Sequence, residues 1–158
     1  MTLRERLHDD TIAAMRSGDV LRRDVLRMAQ SAIYNVEKAK RTTLSEDEVL
    51  GIVSREVKTR RESVAAFRNG DREDLATKEE AEIAILQGYL PQPLTEDELR
   101  ALVDEGIAAT GAAGARDLGK VMGWLSPQIR GRADGKAASG LVAQALARAD
   151  LVAHDGAH

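Results

Sequence analysis

Three charged residues interrupt otherwise apolar helical stripes and are the first candidates for chemistry. The stripe Val53, Val57, Arg60, Val64 and Phe67 is apolar except at Arg60. The stripe Leu75, Glu79, Glu82 and Leu86 is apolar except at its two glutamates. Carboxylates held close to one another can do acid–base work, because each raises the other's affinity for a proton. The same three residues can instead form a structural ion pair, since a charge withdrawn from water must be matched. No Ser, Cys or His lies at a spacing that completes a catalytic set. Arg60, Glu79 and Glu82 are therefore read as a structural ion pair, and no catalytic residue is assigned.

A second set of residues has the chemistry of a polyanion contact. Between Arg116 and Lys136 stand five bases (Arg116, Lys120, Arg130, Arg132, Lys136) and two acids (Asp117, Asp134), a net of +3. The rest of 91–158 holds two bases against seven acids. Gly119 and Gly123 sit four residues apart in the same stretch, and each costs a helix about 1 kcal/mol relative to Ala. Two on one face imply close approach by something, either a neighbouring helix or a phosphate backbone. Arg116, Gly119, Lys120, Gly123, Arg130, Arg132 and Lys136 form the candidate nucleic-acid site. A weaker basic patch, Lys58, Arg61 and Arg72, is interleaved with Glu56 and Glu62 and reads first as a solvated helix face.

Two further patterns carry no site. Gly114 to Val121 nearly spells a phosphate-binding loop, but Val121 replaces the Ser or Thr that binds magnesium and no buried strand leads into it. The histidines His8, His154 and His158 are scattered and suggest no metal site. No metal or cofactor is expected.

These residues must be positioned by helices. Thr2-x-x-Glu5, Ser45-x-x-Glu48 and Thr95-x-x-Glu98 are capping boxes, and Asp19 and Asp134 are further N-caps. Gly18 and Asn69-Gly70-Asp71 end helices. The spacing predicts helices at about 2–17, 19–40, 45–69 and 74–89. It predicts three more at about 95–109, 117–129 and 136–149, with Pro127 ending or kinking the sixth. Leu90-Pro91-Gln92-Pro93 cannot be helical, because each proline lacks an N–H and pushes its predecessor into an extended conformation. No alternating apolar run predicts a strand. The fold expected is all-α: a four-helix N-terminal unit (1–90), a Tyr-Leu-Pro hinge, a three-helix bundle (91–150) and a frayed tail (151–158).

The bulk properties narrow the function classes. The formal net charge is −3, which gives no global attraction to nucleic acid, so any such binding must be local. Residues 1–90 hold 16 bases and 17 acids. There is no cysteine, hence no disulfide or thiolate site. No apolar signal region opens the chain and no run spans a membrane. A cytoplasmic location is expected.

Taken in order, several short motifs resemble one family. They are Leu26-Arg27-Met28, Lys58 to Ser63, Arg72 to Leu75, Glu79 to Glu82, Tyr89-Leu90-Pro91, Asp117 to Met122 and Gly131 to Gly135. Together they are similar to the YqeY-like proteins, the stand-alone GatB/YqeY domain, across nearly the whole chain. The resemblance implies an all-helical fold with an N-terminal helical domain and a three-helix domain. The same domain is the C-terminal tail of the B subunit of the bacterial tRNA-dependent amidotransferase, where it contacts tRNA away from the chemistry. The resemblance thus implies tRNA binding, and carries the family label of a carbon–nitrogen ligase with glutamine as amido-N-donor. The large ATP- and magnesium-using part of that subunit and an amidase module are not among these residues.

Three readings follow. The first is a non-catalytic helical adaptor for tRNA or a translation-associated protein. The second is an accessory to glutamine-dependent amidotransferase chemistry, with amidotransferase subunits as partners. The third is a protein-interaction module whose glycine face docks a partner helix.

Overall fold

Helix starts in this chain are written in the side chains that cap them. In the computed structural model, which describes residues 1–156, Thr2 and Thr95 each accept the backbone N–H three residues on, and Glu5 and Glu98 bond back to the cap N–H. Ser45 likewise accepts from Glu48, but the Glu48 carboxylate takes the Ser45 hydroxyl instead of its N–H, so this third box is half made. The helices are α1 Leu3–Ser17, α2 Val20–Lys40, α3 Glu46–Asn69, α4 Glu73–Gln87, α5 Glu96–Thr110, α6 Leu118–Ile129 and α7 Gly135–Gly156. A single 3-10 turn, Ala115–Asp117, leads into α6. No strand occurs among the described residues. The chain is all-α. Gly18 and Gly111 close α1 and α5 at φ of 77° and 66°, the left-handed region that residues with a Cβ disfavour.

α6 ends at Ile129, as the spacing predicts, and only the end of α7 lies more than two residues from its expected place. Pro127 neither ends α6 at its own position nor prevents two more helical residues. The hydrogen bond it forfeits is to the Gly123 carbonyl, and Gly123 is exposed, so water can replace the missing donor. α7 continues to Gly156 instead of stopping near Ala149, because nothing between Leu141 and Asp155 breaks a helix. Residues 157 and 158, and the side chains from 153 on, including His154 and His158, lie outside the described part.

The chain divides into two compact units, one ending at Pro91 and the next beginning at Gln92. In the first, α3 and α4 form a hairpin, α1 and α2 pack together, and α2 contacts both α3 and α4. Its core joins Leu3, Leu7, Val25, Leu26, Val49, Val53 and Leu86, each burial contributing about 1.5–3 kcal/mol. In the second, α5, α6 and α7 surround Leu99, Val103, Val121, Leu125, Val142 and Leu146.

The residues on either side of this boundary are each tied to their own unit. Tyr89 is buried, its hydroxyl donates to the Asp10 carboxylate, and the Arg6 guanidinium lies 5.1 Å above its ring. On the other side, the Leu94 N–H donates to the Arg132 carbonyl at 2.8 Å, and Arg132 Nε donates to the Gln92 carbonyl at 3.1 Å. Burial, with the Asp10 bond next, pushes the Tyr89 hydroxyl from 10.0 up to about 12. A folded-state value above the unfolded one means that the neutral phenol stabilises the fold. That contribution is whole below about pH 10 and is lost as pH rises through about 12. Ultraviolet titration should therefore show one phenolate forming only near pH 12, and Tyr89→Phe should remove that late wave. A titration of the native protein complete by pH 11 would show that the phenol is not held in this way.

Candidate nucleic-acid interface

Arg60 pairs across α3 and α4 with Glu82, and its second direct partner is Glu56 in place of the expected Glu79. Arg60 is 5% exposed. Its Nη1 donates to Glu56 Oε2 at 2.9 Å and its Nε to Glu82 Oε2 at 3.3 Å. Its Nη1 also donates to the Glu56 carbonyl, and Nη2 approaches Met28 Sδ at 3.8 Å from α2. Glu56 belongs to the helix that carries Arg60, one turn earlier, where the sequence alone shows only an acid interleaved with a basic face. Glu79 sits beside Glu82. Burial first, then the Glu82 charge, raises its pKa above the ordinary carboxylate value. Four titratable groups with one guanidinium among three carboxyls make a register lock between α3 and α4. Among the described residues no group of His, Asp or Glu is arranged to hold a metal ion.

The weaker basic patch is largely occupied. Arg61 donates to the Gln87 side chain at 3.0 Å, Arg72 pairs with Asp74 at 3.2 Å, and Lys58 also has a partner. Four other arginines of the first unit are ion-paired too: Arg4 with Glu37, Arg22 with Asp19, Arg23 with Asp24, and Arg68 with Glu73 and Glu80. An open cleft of about 850 Å³ beside α1 and α2 is floored by Leu7 and Ile33 and edged by His8 and Gln30.

The second unit is different. Arg116, Lys120 and Lys136 are exposed, and none has an ion pair among the described residues. Gly119 and Gly123 are exposed as well, and a Cβ added to either would meet nothing within 4 Å. They therefore do not serve helix packing inside the unit. The close approach that does use a glycine is at Gly106 on α5, where a Cβ would stand 2.8 Å from Trp124 Cε3 and 3.3 Å from Val121 Cγ1. The core side of α6 is Val121, Leu125 and Ile129, and the glycine stripe looks the other way.

The seven candidates do not gather at one point. Arg116 and Lys120 stand at the start of α6, while Arg130, Arg132 and Lys136 follow its end. Twelve helical residues separate these ends by about 18 Å. The result is a strip with cations at both ends and bare backbone between, suited to an extended polyanion more than to a lone phosphate. Two members have structural duties. Arg132 holds the Gln92 carbonyl, and Arg130 has an internal partner. Asp117 accepts from the Ala113 N–H at 2.8 Å, and that bond, with the Lys120 and Arg116 charges as lesser contributors, lowers its pKa.

The sequence profile of the Yqey-like protein family matches residues 4–146. The chain belongs to this family. Similar proteins include the fungal "Altered inheritance of mitochondria protein 41, mitochondrial" of Pyrenophora tritici-repentis, 33% identical over 130 residues, which are 81% of this chain and 71% of that one. The protein of the same name from Vanderwaltozyma polyspora is 38% identical over 85 residues, 53% of this chain and 46% of that one. An uncharacterized protein of Schizosaccharomyces pombe is 31% identical over 67 residues, 42% of this chain and 54% of that one. The YqeY-like match thus takes in both units, the Arg60 cluster and the whole α6 strip. No helix among the described residues of this YqeY-like protein is long and apolar enough to cross a membrane.

Trp124 was not singled out by the sequence. It is partly buried, packed on Gly106, and lies on α6 one turn after Lys120. A tryptophan at helical spacing reads as core, and only the backbone approach at Gly106 reveals how it is held at the edge of the strip.

Proposed function

We propose that this YqeY-like chain is a non-catalytic helical adaptor that holds a structured RNA, tRNA foremost, along the outer face of α6. The observation that carries this reading is the unequal use of charge. The first unit pairs six of its twelve arginines with internal carboxylates, whereas Arg116, Lys120 and Lys136 have no ion pair among the described residues. Unpaired exposed cations hold counter-ions loosely on the protein side and displace condensed counter-ions from a phosphate backbone. The stripe of Gly119 and Gly123 lets that backbone come close to the helix without side chains in the way.

The fungal relatives are named as mitochondrial proteins. The proposed role operates in any compartment that contains tRNA, cytoplasm or mitochondrion alike. An accessory role in glutamine-dependent amidotransfer would use the same contact, with the chemistry supplied by partner subunits.

Ultraviolet cross-linking in cells, followed by sequencing of the RNA recovered and mapping of the cross-linked peptide, tests the proposal. The expected result is enrichment of tRNA, joined to a peptide within residues 116–136. Recovery of no RNA above background, with protein partners retained after nuclease and high salt, would instead establish a protein-docking module.

A further inference from the structure

From the placement of Trp124 we infer that the strip takes an unstacked base, so that its ligand is single-stranded or looped RNA and not a continuous duplex. This rests on the RNA reading above and specifies the class of ligand at the same site. Trp124 is the chain's only tryptophan. It follows Lys120 by four residues on α6, so the two side chains are neighbours on the helix surface. Its benzo edge is seated against the α5 backbone at Gly106, where even a methyl group would collide with it. That seat fixes the indole without enclosing it, for the residue remains partly exposed. The indole N–H has no protein acceptor among the described residues and is not among the buried polar atoms, so the polar edge of the ring faces water.

A partly exposed aromatic ring seated on backbone, one helical turn from a lysine without an ion pair, is the pair of features that single-stranded nucleic-acid sites use. The ring stacks on a base and the cation holds the adjoining phosphate. A duplex keeps its bases stacked on one another and offers the ring no face. The surroundings also set a direction. Asp104 and Glu105 precede Gly106 on α5 and repel phosphate from that side, so the backbone of the ligand must follow α6 from Arg116 and Lys120.

Because the tryptophan is single, its emission reports on this site alone. The experiment titrates the full chain at low salt with octauridylate, and separately with an RNA duplex of the same length, following both tryptophan emission and the anisotropy of end-labelled RNA. The single strand is expected to quench the emission strongly and the duplex to leave it nearly unchanged. Trp124→Leu, which refills the apolar volume without a stacking plane, should weaken single-strand binding about tenfold. Trp124→Phe should retain most of it, and circular dichroism confirms that both variants fold. Anisotropy showing tight single-strand binding with unchanged emission, and with Trp124→Leu equal to wild type, would overturn base stacking while leaving RNA binding intact. Equal quenching by the duplex would overturn the single-strand preference. Absence of binding by anisotropy to either RNA and to tRNA would overturn the RNA reading and this inference together.

Discussion

Replacing Arg60 with methionine should destabilise the first unit by about 3 kcal/mol, measured as a lowered midpoint in urea denaturation at neutral pH. The guanidinium side chain is 6% exposed, and its partners Glu82 and Glu56 are 14% and 26% exposed. Methionine approximates the length of the arginine stem, so packing loss is small. What the variant leaves behind is a set of three neighbouring carboxyls, Glu56, Glu79 and Glu82, with no cation among them. Partial access to water moderates that cost, which places the effect at the lower end for a broken buried pair. Adding Glu82→Leu to Arg60→Met should recover most of the loss, because an apolar pair of similar volume can replace a buried ion pair at little net cost. A loss below about 1 kcal/mol for the single variant would show that the cluster behaves as a surface pair. Failure of the second change to restore stability would mean that packing, not charge, is what Arg60 provides.

Replacing Lys120 and Lys136 together with glutamate should weaken tRNA binding about a hundredfold at low salt, with the fold unchanged by circular dichroism. Each lysine is exposed and without an internal ion pair among the described residues, so its removal breaks no contact that holds the unit together. A charge-assisted hydrogen bond contributes about 1.5–3 kcal/mol. Two of them lost at the lower end of that range, as suits exposed side chains, give roughly two orders of magnitude. Arg132 is a poor choice for this test despite its place in the strip. Its Nε holds the Gln92 carbonyl, so a weakened variant would confound lost phosphate contact with a loosened chain entry to the second unit.

How much of this could be read from residues alone follows from the range of the forces involved. The starts at Thr2, Asp19, Ser45, Thr95 and Asp134 were legible because a cap is a contact within three residues. The pairing of Arg60 with Glu82 was legible because an unmatched charge on a buried stripe demands a partner on the facing helix. Glu56 was overlooked as a partner because a turn-spaced acid on a charged helix looks like every other solvated acid. Gly119 and Gly123 suggested close packing, yet the glycine that packs is Gly106. All three are alike in sequence, and only the facing helix decides which backbone is approached. The direction of the α6 core stripe, Val121, Leu125 and Ile129, already placed Gly119 and Gly123 on the far side. The end of α7 was not legible because helix continuation past Ala149 depends on the absence of a stop, which is a weaker signal than its presence. The two-ended layout of the cations was implicit in the predicted sixth helix, because Arg116 precedes it and Arg130, Arg132 and Lys136 follow it.

The most direct test of RNA holding along α6 is a salt titration of tRNA affinity, run in parallel on the wild-type chain and on the Lys120→Glu, Lys136→Glu variant. The logarithm of affinity should fall linearly with the logarithm of salt concentration, and the slope of the variant should be shallower by about 2. Identical slopes and affinities for the two proteins, or a wild-type affinity indifferent to salt, would show that these cations do not grip phosphate and that α6 serves some other partner.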